Sequence, residues 1–243
     1  MMGVNRAELI AGLQSDILRL EGFKPFHTGG LDLGLGPIKN AFPNTSFPLG
    51  AVHEFLSARV EDTAATTGFI AGLLSSLMGS GGTSVWISAS RTLFPPALKK
   101  FGVQPDHIIF IDVRSQKEVL WVMDEALKCG ALSAVVGEIP EINFIESRRL
   151  QLAVEESRVT GFILGRNSKK ISTTACVSRW RITSLPSIRF EDLPGVGFPQ
   201  WRVELMRIRN GRTGVWDVSW REGKFQHVFK PPVFSSQTHR KAG

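Results

Sequence analysis

The chain has 243 residues, 42% of them hydrophobic and 21% charged, an ordinary composition for a soluble protein with one large core and an appendage. Its two cysteines, Cys129 and Cys176, are widely separated and lack Cys-x-x-Cys or Cys/His spacing, which excludes a disulfide framework and a cysteine zinc site and fits a reducing cytoplasm. The net charge of +7 is unevenly distributed: residues 1–157 carry 13 Lys+Arg against 17 Asp+Glu, whereas residues 158–243 carry 16 against 5. Such asymmetry suggests an anionic partner for the last third, nucleic acid being the commonest, with a solubilising basic face as the alternative.

The first segment, "MMGVNRAELIAGLQSDILRL", places Leu9, Leu13, Ile17 and Leu20 at helical spacing, which predicts an amphipathic helix packed on the body or on a partner. It lacks the continuous apolar run of a signal peptide or membrane span, so no membrane association is expected. "FHTGGLDLGLGPIKNAFPNTSFPLG" is rich in Gly, Pro and Asn and reads as turns leading into the core. From Ala51 strand and helix patterns alternate. "AVHEFL" is a strand, Thr63 to Met78 a helix with small residues on one face, "TSVWIS" a strand and Pro96 to Phe101 a short helix. "HIIFIDV" is a strand, Gln116 to Lys128 a helix, "LSAVVGEI" a strand, Phe144 to Thr160 a helix and "GFILGR" a strand. This order, with apolar strands, predicts an α/β fold whose mostly parallel sheet is flanked by helices.

After Thr173 the helical period disappears, and the chain predicts a β-rich antiparallel C-terminal extension. Asn210-Gly211 marks a two-residue hairpin turn, and Trp216, Val218 and Trp220 alternate onto one face. Leu185 to Gln200, with three prolines, reads as a linker, and the last residues read as a disordered basic tail.

The stretch "HEFLSARVEDTAATTGFIAGLLSSLM" has the strand–loop–helix order of a phosphate-binding loop, but it has lost the glycines and the lysine that such a loop needs; only hydroxyls remain. From "GLGPIKNAFPNTSFPLGAVHEFLS" through "VRSQKEVLWVMDEALKCGALSAVVGEI" the chain resembles the RecA recombinase core. With "SRWRITSLPS" and "GFPQWRVELMRIRNGRTGVWDVSW" it is similar to the ImuA family, RecA-related proteins of damage-induced mutagenesis, over roughly Gly30 to Lys230. The resemblance sets the recombinase's Gly-Lys-Thr-Thr on Ala64, Ala65, Thr66 and Thr67, the opening glycine on Ser57 and the catalytic glutamate on Ser90. Glu61 and Asp62 put negative charge where phosphates would sit, so no cofactor and no catalysis are expected. Glu138, with Gly137 as the rival position, matches the acidic strand end that would serve a metal; a hydrogen-bonding role is the other reading. "GSGGTSVW" precedes a strand and reads as a helix stop, and the five histidines show no metal spacing, so no metal site is expected.

Binding is what remains. Arg179, Arg181, Arg202, Arg207, Arg209, Arg212 and Arg221 interleave with Trp180, Trp201, Trp216 and Trp220, giving candidate contacts to single-stranded DNA or to protein, with the indoles either stacking on bases or buried in the core. The family resemblance implies partnership with an inactive Y-family-like polymerase and an error-prone replicative-type polymerase, and contact with RecA itself. The expected organisation is an N-terminal helix and linker (1–29), a degenerate RecA-like core (30–184), a basic β-rich extension (185–230) and a tail (231–243). Three alternatives differ in class: a residual ATPase, a stand-alone single-strand DNA-binding repair module, and a cell-division inhibitor of the same superfamily.

Overall fold

The computed structural model describes residues 31–79, 81–166, 172–188 and 197–228; the expected N-terminal helix, the basic tail and the middle of the expected linker lie outside the described residues. Strands β1 (Val52–Ser57), β2 (Ser84–Ser88), β3 (Ile108–Asp112), β4 (Ala134–Glu138) and β5 (Thr160–Arg166) alternate with helices α1 (Val60–Met78), α2 (Gln116–Leu127) and α3 (Phe144–Ser157). A 3-10 helix, Pro95–Phe101, lies between β2 and β3. Four further strands follow: β6 (Ser178–Ile188), β7 (Phe198–Ile208), β8 (Gly214–Arg221) and β9 (Lys224–His227).

All nine strands form one sheet in the order β3-β2-β4-β5-β1-β6-β7-β8-β9. From β3 to β6 every pairing is parallel, and from β6 onward every pairing is antiparallel. The expected α/β class and antiparallel C-terminal end are both present, and they meet at β6, which continues the parallel sheet on one edge and opens the antiparallel part on the other. Leu185–Ile188 and Phe198–Gln200, the two ends of the expected linker, are strand.

Local chemistry explains the helix limits. In α2 the Ser115 hydroxyl accepts from the Glu118 N–H, and α3 opens with a capping box between Asn143 and Glu146. The α3 pattern stops at Ser157 because Arg158 takes a left-handed conformation (φ 65°) and Thr160 already belongs to β5.

Two cores lie on opposite faces of the sheet. On one, α2 and α3 cover Val52, Val85, Ile87, Val135 and Ile163. On the other, α1 packs beneath an aromatic cluster drawn from both parts of the sheet: Phe55 stacks on Trp180 at 5.8 Å, and Phe69 meets Phe225 at 4.9 Å. The small residues of α1 make this approach possible. A Cβ on Gly68 would lie 2.8 Å from the Phe101 ring, and one on Gly72 would lie 2.6 Å from Phe225 and 2.8 Å from Trp220. Trp180, Trp201 and Trp220 are buried, so these indoles are core rather than stacking platforms.

The β7–β8 connection departs from expectation. A two-residue turn at Asn210-Gly211 would pair Arg202 with Ser219; instead Arg202 pairs with Asp217, and the loop runs from Arg209 to Thr213. The body holds it open: Arg209 N–H donates to the Val177 carbonyl and Arg212 N–H to the Ala41 carbonyl. Asn210 takes the left-handed conformation (φ 56°), while Gly211 is required by space, since a Cβ there would sit 2.4 Å from the Ala41 oxygen. The shift is two residues, so every side chain keeps its expected face.

Candidate functional site

The junction of β1 and α1 is where a nucleotide-binding relative would wrap a phosphate. Here only Ala58 and Arg59 separate the strand from the helix. A cradle requires a run of backbone N–H groups curled around the anion, and a two-residue turn supplies no such run. Ser57 is buried at the strand end, and Thr66 is buried one turn and a half into the helix. Their hydroxyls lie 2.9 Å apart, and Thr66 Oγ1 also donates to the Asp62 carbonyl at 2.7 Å, so the Ser57 hydroxyl is the donor of the pair. Both are used internally. Ala65 is buried and Ala64 is exposed on the same helix, with Thr67 between them in burial.

The charge in this corner is also self-contained. Arg59 donates from Nε and Nη2 to the two oxygens of Asp62 at 3.0 and 3.1 Å and lies 3.4 Å from Glu61. Asp62 additionally accepts the Ser184 N–H of β6 at 3.0 Å. Burial by itself would raise the Asp62 pKa; the bonds from Arg59 and Ser184 outweigh it and hold the carboxyl below its ordinary range. The residues present do not fit a triphosphate.

The second polar cluster sits at the carboxyl ends of β2, β4 and β5. Buried Glu138 accepts Trp86 Nε1 at 2.9 Å on one oxygen, and Ser88 Oγ at 2.7 Å, Ser90 Oγ at 3.2 Å and Arg166 Nη2 at 2.5 Å on the other. Arg166 also donates to Ser90 at 2.9 Å and to Thr92. A guanidinium thus lies against Glu138, and Ser90, the position expected from the resemblance to have lost a general base, joins the same network. Among the described residues no group of three or more His, Cys, Asp or Glu side chains is arranged to hold a metal ion. No described helix is long and apolar enough to cross a membrane.

The seven candidate arginines fall into different settings. Arg179 is buried, donating to Glu54 at 2.7 Å, to the Ser172 carbonyl at 2.5 Å and to Thr174 Oγ1 at 3.1 Å. Arg207 is half-buried and donates to the carbonyls of Thr174 and Cys176 at 2.9 and 2.6 Å. Arg181 pairs with Glu204 at 3.0 Å, and Arg202 makes a two-point contact with Asp217 at 2.9 and 3.2 Å. Arg221 lies over the Phe198 ring at 5.1 Å. Arg209 and Arg212 are exposed on the β7–β8 loop.

Arg59 and Arg166 were not singled out by sequence reasoning. Arg59 carries a readable signal, a basic residue three positions before an acid at a helix start. Arg166 carries none, because its partner Glu138 belongs to a different strand.

No protein-family model matches the chain. It is 35% identical over 213 residues to Protein ImuA of Caulobacter vibrioides, covering 82% of this chain and 87% of that protein. It is 24% identical over 164 residues to the cell division inhibitor SulA of Yersinia pestis, covering 66% of this chain and 95% of that protein. Among solved structures it is similar to the RadB recombinase, with a TM-score of 0.58 at 14% identity over 82% of this chain and 100% of that one, which makes the fold RecA-like.

Proposed function

The chain belongs to the ImuA family, and from that premise we propose that it is a non-hydrolysing RecA-like accessory protein of the DNA-damage response, recruiting or bridging the polymerases of error-prone translesion synthesis near DNA. The observation that carries the non-hydrolysing part is the β1–α1 junction: two residues long, its hydroxyls bonded to each other and its charges paired. Catalysis of phosphoryl transfer rests on positioning phosphates, metal and water, and this corner positions none of them. The chain acts in this reading by presenting surfaces, in the cytosol. Its partners are the polymerase-like and replicative-type polymerase proteins implied by the family, a recombinase, and single-stranded DNA.

The test has two arms. Thermal unfolding with and without millimolar ATP and Mg²⁺ is expected to give the same midpoint, because only a ligand bound by the folded state raises it. Deleting the gene is expected to abolish damage-induced mutation while leaving survival pathways that depend on RecA intact. An ATP-dependent rise in midpoint would restore the residual-ATPase reading. The similarity to SulA favours one second reading, a cell-division inhibitor. Undiminished mutagenesis in the deletion strain, together with filamentous cells on overexpression, would replace the proposed role with that one.

A further inference from the structure

The two edges of the sheet are finished differently. β9 is four residues long, has Lys224 and His227 at its ends and turns its one apolar side chain, Phe225, into the core. Short length and charge are what protect an edge against a further strand. β3, the other edge, has a different character. Its run Ile108-Ile109-Phe110-Ile111 holds no charge and no proline, and the one acid, Asp112, is paired with Arg91 at 2.9 Å. Both faces of the strand leave apolar surface in solvent. Ile109, on the side of Ile111 and the core under α2 and α3, is 51% exposed; Phe110, on the side of Ile108 and the aromatic core, is 37% exposed.

One bond fixes which backbone groups face outward. Val113 N–H donates to the Ser88 carbonyl at the end of β2. Alternate residues of a strand turn both backbone groups to the same neighbour, so Ile109, Ile111 and Val113 serve β2. The N–H and C=O groups of Ile108, Phe110 and Asp112 therefore point away from the sheet, and among the described residues no strand pairs with them.

We propose that this edge binds the β3 strand of a second copy of the chain, antiparallel, about a two-fold axis at Phe110. This goes beyond the role proposed above and does not depend on it. The sequence around Phe110 complements its own reverse. In this register Phe110 meets Phe110 of the second copy, Ile109 meets Ile111, and Ile108 meets Asp112, so the residues with outward groups face each other. Past the strand ends Asp106 comes opposite Arg114; both are exposed, and among the described residues neither side chain has an ion-pair partner. A slide of two residues one way would set Asp106 against Asp112, and the other way would set Asp112 against Phe110. A slide of one residue would put the outward groups out of line. This self-complementarity selects a second copy over a foreign strand, for which the flanking opposite charges would have no use.

The experiment is sedimentation velocity of the full chain across micromolar concentrations, joined to cysteine cross-linking. Wild type is expected to be a dimer in equilibrium with monomer. Phe110→Lys sets like charges opposite each other at the axis and removes the aromatic pair, and is expected to weaken dimerisation about a hundredfold or more. Asp106→Arg is expected to weaken it about tenfold, and Asp106→Arg/Arg114→Asp to restore it to within about twofold. Asp106 and Arg114 are both exposed, so this pair of variants keeps the test intact even where urea midpoints show Phe110→Lys to be less stable. Val215→Lys, at an exposed apolar position on β8, is the control expected to dimerise like wild type. Register is read in a Cys129→Ser background, which removes the exposed native thiol. Phe110→Cys is expected to form a covalent dimer on mild oxidation, because its paired Cα atoms would lie about 5.5 Å apart. Ile109→Cys is not, because the two copies of that residue would be diagonal neighbours about 7–8 Å apart. A monomeric wild type, growth beyond the dimer, an undiminished dimer in Phe110→Lys, an Asp106→Arg loss that Arg114→Asp does not rescue, or cross-linking through Ile109→Cys in place of Phe110→Cys would overturn the proposal. A monomer whose Phe110 amide resists hydrogen exchange would also overturn it and assign the edge to another segment of the same chain. None of these failures touches the ATP or mutagenesis arms above, so loss of the interface and loss of the proposed function are read separately.

Discussion

His53 provides a stability switch whose size follows from its surroundings. It lies in the central strand β1, is fully buried, and has Phe47 and Phe162 as ring neighbours at 4.4 and 5.9 Å. Its Nε2 lies 2.7 Å from the Pro48 carbonyl, which only accepts, so Nε2 carries the proton. Nδ1 lies 2.7 Å from Ser178 Oγ, which itself accepts Trp180 Nε1 at 2.6 Å and therefore donates its proton to the imidazole. A second proton on the ring would turn Nδ1 into a donor and leave the Ser178 hydrogen without its acceptor. Burial thus lowers the His53 pKa from 6.5 to about 4, against the opposing effect of the Pro48 bond.

The unfolded chain takes up this proton below about pH 6.5 and the folded chain does not. The contribution to stability is therefore full above that value and is lost progressively as the pH falls toward 4. Between pH 7 and pH 5 linkage gives a loss of about 2 kcal/mol from this side chain. Urea unfolding followed by tryptophan fluorescence at pH 7, 6 and 5 is the assay, with wild type compared to His53→Phe. Wild type is expected to lose about 2 kcal/mol more than the variant over this range. NMR titration supplies a second readout, in which the His53 ring stays neutral at pH 5. A ring that titrates near 6.5, or identical pH losses in wild type and variant, would refute the reasoning.

Two further outcomes follow from the packing of α1. Gly72→Ala gains helix propensity of about 1 kcal/mol but drives a methyl group into the rings of Phe225 and Trp220, and the net expected loss is about 1–2 kcal/mol, with red-shifted tryptophan emission in urea titration. Asp62→Asn leaves Arg59 without its buried partner and weakens the bond to Ser184. Because Arg59 is half exposed, the expected loss is about 2 kcal/mol rather than the larger value of a fully buried pair, again by urea unfolding at pH 7. The depressed Asp62 pKa adds a sign to this result: the difference between wild type and variant persists above the unfolded carboxylate value near 3.9 and shrinks as the acid is titrated below it.

Much of the architecture was legible because it depends on local pattern. The alternation of apolar strands and helices marked the parallel sheet, and the even spacing of Trp216, Val218 and Trp220 marked a shared face, both of which depend only on repeat period. The small residues along α1 were legible as a stripe, although what fills it, the Trp220 and Phe225 rings, was not. What failed was register. Asn210-Gly211 favours a two-residue turn, but long-range bonds from Arg209 to Val177 and from Arg212 to Ala41 outweigh that preference, and no local signal announces them. The same gap affects the arginines. Arg181 faces Glu204 and Arg202 faces Asp217 only once the strand pairs are aligned, and Arg179 finds Glu54 across a parallel pairing that spans 125 positions of sequence. Basic content was visible in the string of residues; its neutralisation was not.

The position of β1 governs how this chain is made. It is an early strand, yet both its neighbours, β5 and β6, come much later, and β6 is complete only at Ile188. At ordinary translation speeds the ribosome takes on the order of ten seconds to extend from Ser57 to that point. Until β5 is made, about four-fifths of the way through this interval, β1 has no partner strand on either edge, and its second edge waits for β6. The nascent protein therefore passes through a stage in which its future centre is an unpaired edge, and nearly the whole chain must emerge before the sheet can close around it.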